Sequence, residues 1–100
     1  MFAAAFAYEV DPVAAGAFEA AYGPDGEWAR FFRRGHGYLG TDLWCAADEE
    51  PRRYLLLDRW ESASVYAAFL ADHEDEYRQR SGEAEALYRR ETALGRFEAR

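Results

Sequence analysis

The spacing of hydrophobic residues predicts one strand and two helices in the first third of the chain. Residues 2–10 alternate between large and small side chains, and this period of two is typical of a β-strand. Asp11 and Pro12 then supply a helix N-cap and a first-turn residue, and we expect this helix to end in the glycine-rich segment 23–26. A second, shorter helix is predicted over 27–34, where three aromatic residues fall on one side.

The middle of the chain predicts two strands joined by a turn. Residues 38–46 and 53–60 form the predicted strands, and the acidic stretch 48–51 between them forms the predicted turn. Alternation along the first of these strands puts Tyr38 and Thr41 on opposite faces. The second contains a tyrosine and three consecutive leucines, so it is apolar on both faces, and we expect both faces to be covered.

The last third predicts two helical segments and a strand. Ser62 is the expected N-cap of an amphipathic helix, which we expect to be interrupted at 81–82 and to resume over 83–90. Residues 92–97 predict a short final strand. The order strand, helix, strand, strand, helix, strand is that of a ferredoxin-like βαββαβ fold of the α+β class. We therefore expect one domain over 1–100, with an antiparallel four-stranded sheet.

Such a sheet leaves a second apolar face to be covered. The helices cover one face of the sheet. The other face would expose a contiguous apolar surface, and such a surface on a protein marks an interaction surface. The simplest cover is a second copy of the chain. We expect a homodimer through the open sheet face, in which two sheets close into a dimeric α+β barrel.

Composition narrows the functional classes. The net charge is −7, so the chain would be repelled by nucleic-acid phosphates, and no nucleic-acid partner is expected. Charges interrupt every apolar run, so no membrane span is predicted, and the first residues lack the basic region of a secretory signal. The chain has one cysteine, Cys45, which we interpret as a small buried hydrophobe. A cytoplasmic location agrees with this cysteine usage.

Three short motifs resemble a known family. They are the Gly37-Tyr38-Leu39-Gly40 start of a strand, the 54–60 strand that ends in Trp60-Glu61-Ser62, and the helix that contains residues 66–69. With these motifs the chain resembles the antibiotic biosynthesis monooxygenase-like family of the dimeric α+β barrel superfamily. The resemblance implies that fold and a monooxygenase or oxidase that acts on aromatic phenolic small molecules without metal, flavin or other cofactor.

The resemblance also implies catalytic residues. Alignment on the Trp that ends the strand assigns Trp60, Tyr66 and Arg80 to catalytic positions, with Arg80 as the cationic partner of a phenolate and Tyr66 as a hydrogen-bond donor or proton relay. The position where the family's oxygenases use an active-site Asn is occupied by Leu56, and the chain contains no asparagine.

Further candidates come from the aromatic residues and the few titratable groups near them. A flat aromatic ligand requires an aromatic pocket, and the candidate lining residues are Trp28, Phe32, Tyr38, Phe69 and Tyr77. The candidate acid or base residues are His36, Asp58 and His73.

Two alternative functions remain open. A non-catalytic module of the same fold would bind a small molecule in the same pocket. A proton-transfer enzyme, such as an isomerase or cyclase, would use one of the acid or base candidates without oxygen.

Overall fold

A computed structural model describes residues 1–47 and 52–100, so the predicted turn at 48–51 lies outside the described residues. The described part contains four strands and four α-helices, with single 3₁₀ turns before α1 and after α4. These elements are β1 (Phe2–Val10), α1 (Ala15–Tyr22), α2 (Glu27–Phe32), β2 (Tyr38–Cys45), β3 (Arg52–Trp60), α3 (Ala63–Asp72), α4 (Glu74–Ala84) and β4 (Arg90–Glu98).

The four strands form one antiparallel sheet in the order β2-β3-β1-β4. The central pair is β1 and β3, whose register runs from Phe2 opposite Trp60 to Val10 opposite Arg52. With the helices between the strands, this topology confirms the predicted ferredoxin-like α+β fold. Both predicted caps are present: Asp11 and Ser62 each accept a backbone N–H bond, from Val13 and Val65 respectively.

The two faces of the sheet differ in burial. The helices cover the face that carries the even-numbered residues of β1 and β3, where Tyr8, Leu56 and Trp60 are buried. On the opposite face, Trp44 is 65% exposed and Leu55 is 39% exposed. The run of leucines in β3 therefore has one covered face and one open face within the described chain.

The core under the helices consists of two clusters. The first cluster is built around Phe18, Tyr22 and Tyr54, and the second around Trp60 and Phe69. Phe6 and Trp28 pack against both clusters. The boundary between the two clusters is where the sheet, α2 and α4 leave room for a cavity.

A β-bulge in β2 puts Tyr38 on the same face of the sheet as Thr41, contrary to the prediction from strict alternation. The register shifts between Tyr38 and Gly40, so that Tyr38 lies opposite Trp60 and Thr41 lies opposite Asp58. Tyr38 and Thr41 therefore share the helix-covered face, although strict alternation separates them. Gly40 has a φ of +143°, which favours glycine and permits the bulge.

The helical segments at the end of the chain also differ from the prediction. The helix that starts after Ser62 ends at Asp72, and α4 begins after His73 and runs through Ser81 and Gly82. One glycine in an exposed helix costs only about 1 kcal/mol, which tertiary contacts override. Of the predicted helix over 83–90, residues 83–84 belong to α4 and only Glu85–Leu87 follow as a 3₁₀ turn. Strand β4 begins at residue 90 rather than 92.

Cys45 also differs from its interpretation as a buried hydrophobe. It lies at the end of β2 as an exposed free thiol. Its neighbour in the sheet, Tyr54, is buried, but the end of the edge strand leaves the sulfur uncovered.

Candidate functional site

A cavity of about 140 Å³ lies between the helix-covered face of the sheet and helices α1, α2 and α4. An engineered protein cavity of about 150 Å³ accepts benzene, so this cavity has room for one aromatic ring. Its aromatic lining residues are Phe6, Tyr8, Tyr22, Trp28, Phe32, Tyr77 and Tyr88.

The periods of the strands and helices bring these side chains together. Phe6 and Tyr8 are two residues apart on β1 and point to the same face. Trp28 and Phe32 are four residues apart on α2, which stacks them on one side of that helix. Tyr77 and Ser81 are likewise four residues apart on α4 and lie on one side of that helix. Glu85, Tyr88 and Glu91 follow α4 in the chain and line the open end of the cavity.

Asp58 is the cavity's buried polar group. It is 6% exposed, and Thr41 Oγ1 donates a hydrogen bond of 2.7 Å to its Oδ1. Burial raises the pKa of Asp58 to about 6, while the bond from Thr41 acts in the opposite direction. The Asp58 carboxyl is therefore ionised at neutral pH and more basic than an ordinary aspartate, which suits a general base.

A hydrogen-bonded chain leads from Asp58 toward β2. The Tyr38 hydroxyl lies 2.5 Å from Thr41 Oγ1, and Thr41 in turn contacts the Asp58 carboxylate. Tyr38 is half-buried, so the chain connects the buried carboxylate to a partly solvated hydroxyl. Such a chain orients the carboxylate and offers a path for a proton.

The open end of the cavity is acidic. Glu85 and Glu91 line it and are exposed, and the Tyr8 hydroxyl donates a bond of 2.6 Å to Glu91 Oε2. Burial raises the pKa of Tyr8 and of Tyr22 above the usual tyrosine value, and Glu91 adds to both shifts. These hydroxyls therefore stay protonated and can donate hydrogen bonds.

Four of the predicted site residues line this cavity: Trp28, Phe32, Asp58 and Tyr77. Tyr38 does not line it but reaches Asp58 through Thr41. Leu56, which occupies the position where the resemblance implies an active-site Asn, is also one of the lining residues.

Trp60, Tyr66 and Phe69 lie together in the second core cluster, beyond Phe32. The Trp60 ring is fully buried, and its centroid lies 5.6 Å from that of Tyr66 and 5.3 Å from that of Phe69. Its Nε1 has no hydrogen-bond partner in the described part of the chain. None of these three side chains lines the 140 Å³ cavity, whose aromatic walls come from other residues.

Arg80 lies on a different surface. It bonds Glu76 Oε2 at 3.0 Å, and its guanidinium carbon lies 4.8 Å from the centroid of the Phe31 ring. Arg34 contacts the same carboxylate and the same ring from the turn that follows α2. Arg34 and then Arg80 hold the pKa of Glu76 below its usual range. This arrangement ties α2 to α4 outside the cavity.

Neither histidine lines the cavity. His36 is exposed in the segment between α2 and β2. His73 stacks on Phe69, with ring centroids 4.2 Å apart, and its Nδ1 lies 3.0 Å from the Phe69 carbonyl oxygen. That contact lies at the junction of α3 and α4, where the helix direction changes.

The sequence analysis did not predict the cavity-lining residues at the open end of the cavity or those next to α1. The signal was present, because Tyr77, Ser81, Glu85 and Tyr88 follow helical spacing, and Tyr8 continues the alternation of Phe6. The missed lining residues are Phe6, Tyr8, Tyr22, Ser81, Glu85, Tyr88 and Glu91.

The described residues contain neither a group of metal ligands nor a membrane-spanning helix. Within residues 1–47 and 52–100, no group of three or more His, Cys, Asp or Glu side chains is placed to hold a metal ion. In the same part of the chain, no helix has both the length and the apolar character needed to cross a membrane.

Three solved structures of proteins described as an oxygenase or as monooxygenases have a similar fold. An asparagine-to-alanine mutant of SnoaB, a cofactor-independent oxygenase from Streptomyces nogalater, matches with a TM-score of 0.74 at 20% sequence identity, over 99% of this chain and 92% of that chain. A Nitrosomonas europaea protein assigned as an antibiotic biosynthesis monooxygenase gives a TM-score of 0.67 at 18% identity, over 99% and 98%. A further antibiotic biosynthesis monooxygenase gives 0.68 at 17% identity, over 100% and 99%.

These likenesses establish the fold: the chain has the antibiotic biosynthesis monooxygenase-like, ferredoxin-like α+β fold, as the resemblance implies. No protein-family model matches the sequence, and no curated protein matches it.

Proposed function

We propose that the chain is a member of the antibiotic biosynthesis monooxygenase-like family and oxidises a hydroxylated aromatic small molecule with O₂ and without a cofactor. The cavity is the active site, and Asp58 is the general base. The observation that carries this proposal is Asp58 itself, a buried carboxylate of raised pKa in the wall of an aromatic cavity of ring size.

The proposed reaction requires a substrate that can give electrons to O₂. Asp58 removes the proton of the ring hydroxyl, and the resulting phenolate is electron-rich enough to pass one electron to O₂. The CH₂ carbon next to the ring loses one proton, and the reduced oxygen bonds to that carbon. The two released protons return to the outer oxygen and to the phenolate, which gives a hydroperoxide. Loss of water then breaks the O–O bond, removes the second C–H hydrogen and leaves a carbonyl. The net change is one CH₂ and one O₂ converted to one C=O and one H₂O, so no external reductant is needed.

The resemblance implies a polar contact at position 56, whereas the buried polar group of the cavity is Asp58. The family's oxygenases use an Asn where this chain has Leu56, and Leu56 supplies no hydrogen bond. Asp58 is two residues further along β3 and lines the same cavity. We therefore assign the polar contact with the substrate hydroxyl to Asp58, with Thr41 and Tyr38 as its positioning residues.

A proton-transfer reaction without oxygen is the second candidate, and Asp58 favours it equally. A base and a hydrogen-bonded chain are all that an isomerase or cyclase requires. The two candidates differ in their need for O₂. A module that only binds the ligand would show saturable binding and no conversion.

Oxygen uptake tests the proposal. Purified protein is supplied with one-ring and polycyclic phenols in the presence of EDTA, beside Asp58→Asn and an exposed control, Asp72→Asn. We expect uptake that survives EDTA, falls by about 100-fold or more in Asp58→Asn and is unchanged in Asp72→Asn. Because Asp58 must be ionised, kcat/KM should rise as the pH increases through about 6.

The possible outcomes separate the candidates. Conversion that continues without O₂ and depends on Asp58 would replace oxidation with proton transfer. Uptake that is equal in wild type and Asp58→Asn would remove Asp58 from the mechanism. Trp60→Phe and Arg80→Ala proteins run in the same assay and test the positions that the resemblance implies.

We also propose that the protein is a cytoplasmic homodimer paired through the open sheet face. Trp44, Leu55, Leu94 and Phe97 are each more than a third exposed, and a second copy would remove apolar surface of this kind from water. Sedimentation should give a dimer for wild type and a monomer for Trp44→Glu. A wild-type monomer would contradict the pairing. The free thiol of Cys45 supports a reducing compartment.

A further inference from the structure

The charged groups around the cavity have one sign. Asp58 is buried in its wall, and Glu85 and Glu91 line its exposed end. None of the described residues that line it is Arg or His, and the chain contains no Lys. A cavity with three carboxylates and no cation in its lining attracts a positive charge and repels a negative one.

Arginines on neighbouring elements are engaged outside this lining. Arg80 pairs with Glu76 on α4 and lies against the Phe31 ring of α2. Arg96 of β4 lies over the Tyr66 ring, 5.6 Å from its centroid, in the direction of the second core cluster. The negative charge of the cavity is therefore not balanced by its own lining.

The aromatic walls add to this preference. Burial raises the pKa of Tyr77 and of Tyr88, and Glu91 adds to both shifts, so the rings stay neutral. The faces of neutral aromatic rings attract cations, and most strongly where water is excluded. The aromatic walls and the carboxylates thus both favour a ligand that carries a positive charge.

We infer that the ligand is a one-ring hydroxyaromatic amine, bound with its ammonium group against Glu85 and Glu91 and its hydroxyl toward Asp58. The inference rests on the proposed function, because the orientation of the hydroxyl follows from the role of Asp58 as base. The ring size follows from the cavity volume of about 140 Å³. The ammonium also compensates the negative charge that forms when the hydroxyl loses its proton.

Three probes of matched shape and different charge test the inference. They are tyramine, which is a cation, 4-ethylphenol, which is neutral, and 3-(4-hydroxyphenyl)propionate, which is an anion. Titration calorimetry at pH 7.5 without oxygen measures binding and excludes turnover. We expect tyramine to bind about 10-fold more tightly than 4-ethylphenol, and the anion to bind most weakly.

Variants locate the preference. Glu85→Gln combined with Glu91→Gln should reduce the ratio of tyramine to 4-ethylphenol affinity to about 1–3, because only the charges change. The amide introduced at position 91 retains an oxygen that can accept from Tyr8, so 4-ethylphenol affinity should stay the same. Glu83→Gln is the matched control, since Glu83 is an exposed glutamate of α4 that does not line the cavity. This control should keep the wild-type ratio.

Several results would overturn the inference: equal affinity for the three probes, tightest binding of the anion, a ratio that persists in the double variant, or no saturable binding of any probe. Oxygen uptake with the same probes separates this inference from the proposed function. Selective tyramine binding without Asp58-dependent uptake would leave the inference and refute oxidation. Asp58-dependent uptake with neutral phenols alone would leave oxidation and refute the charge preference.

Discussion

The two aromatic regions under the helices differ in the polar groups they contain. The cluster around Trp60 consists of rings packed on rings, and the Trp60 Nε1 has no partner in the described residues. The cavity beside it is also aromatic, but it contains a buried carboxylate, a hydrogen-bonded chain and two exposed glutamates. Aromatic content alone therefore does not locate a site, whereas a maintained buried charge does.

The contrast has an energetic basis. Packed rings stabilise a fold, and burial of Trp60 contributes in that direction. A buried carboxylate opposes folding, because its charge is removed from water for one hydrogen bond from Thr41. We interpret the Trp60 cluster as support for the fold and the cavity as the site. The following predictions test that division, from the largest expected effect to the smallest.

Trp60→Ala should cause the largest loss of stability. Removal of a fully buried indole leaves a large void among Phe32, Tyr66 and Phe69, and such substitutions cost about 3–5 kcal/mol. Urea unfolding of wild type and variant measures the difference. Trp60→Phe is the companion variant and should retain the substrate turnover of wild type within about threefold, if the indole has only a packing role. A loss of turnover without a loss of stability in Trp60→Phe would move the catalytic site to this cluster.

The effect of Asp58 on stability should depend on pH. Its pKa lies at about 6 in the fold and at about 3.9 in an unfolded chain, so the folded protein holds the proton more tightly. The contribution of Asp58 to the free energy of unfolding is fully present below pH 4 and is lost as the pH rises through 6. Above that range the free energy of unfolding no longer changes with the titration of this group. The loss amounts to about 3 kcal/mol.

Asp58→Asn removes this loss, because an amide does not ionise. Relative to wild type, the variant should gain about 3 kcal/mol between pH 4 and pH 8. Urea unfolding at both pH values measures the gain, and Asp72→Asn, which replaces an exposed carboxylate, should show none of it. A difference between Asp58→Asn and wild type that is the same at both pH values would mean that the carboxyl is not buried as a charge.

Much of the fold could be predicted from the sequence because its signals are local. Alternation in β1, the apolar run in β3 and the caps at Asp11 and Ser62 each depend on a few adjacent residues. The bulge between Tyr38 and Gly40 could not be predicted, since one inserted residue shifts the pattern and only the partner strand reveals it. That bulge is what brings Tyr38 to the Thr41–Asp58 chain.

The candidate site could be predicted only in part, for a related reason. Trp28, Phe32, Asp58 and Tyr77 line the cavity, but Trp60, Tyr66 and Phe69 carry similar side chains and face a different space. Periodicity assigns a residue to a face of an element, and it does not say which of two clusters on that face the residue joins. Glu91 in particular comes to the cavity through the pairing of β4 with β1, opposite Tyr8.

Arg80→Ala should have the smallest effect. The Arg80 side chain is 38% exposed, and its bond to Glu76 joins two residues of the same helix. Exposed pairs of this kind contribute about 0.3–0.5 kcal/mol, and contact with the Phe31 ring adds a similar amount. We therefore expect a loss of at most about 1 kcal/mol in urea unfolding and no change in the KM for a phenolic substrate. Arg34 remains beside Glu76 in the variant and keeps that carboxylate paired.

If Arg80→Ala instead abolished turnover while leaving stability intact, the cation would have to reach the substrate in a conformation different from this one. The groove lined by Glu27, Arg30, Phe31, Arg34, Glu76 and Arg80, rather than the cavity, would then be the place where the phenolate binds.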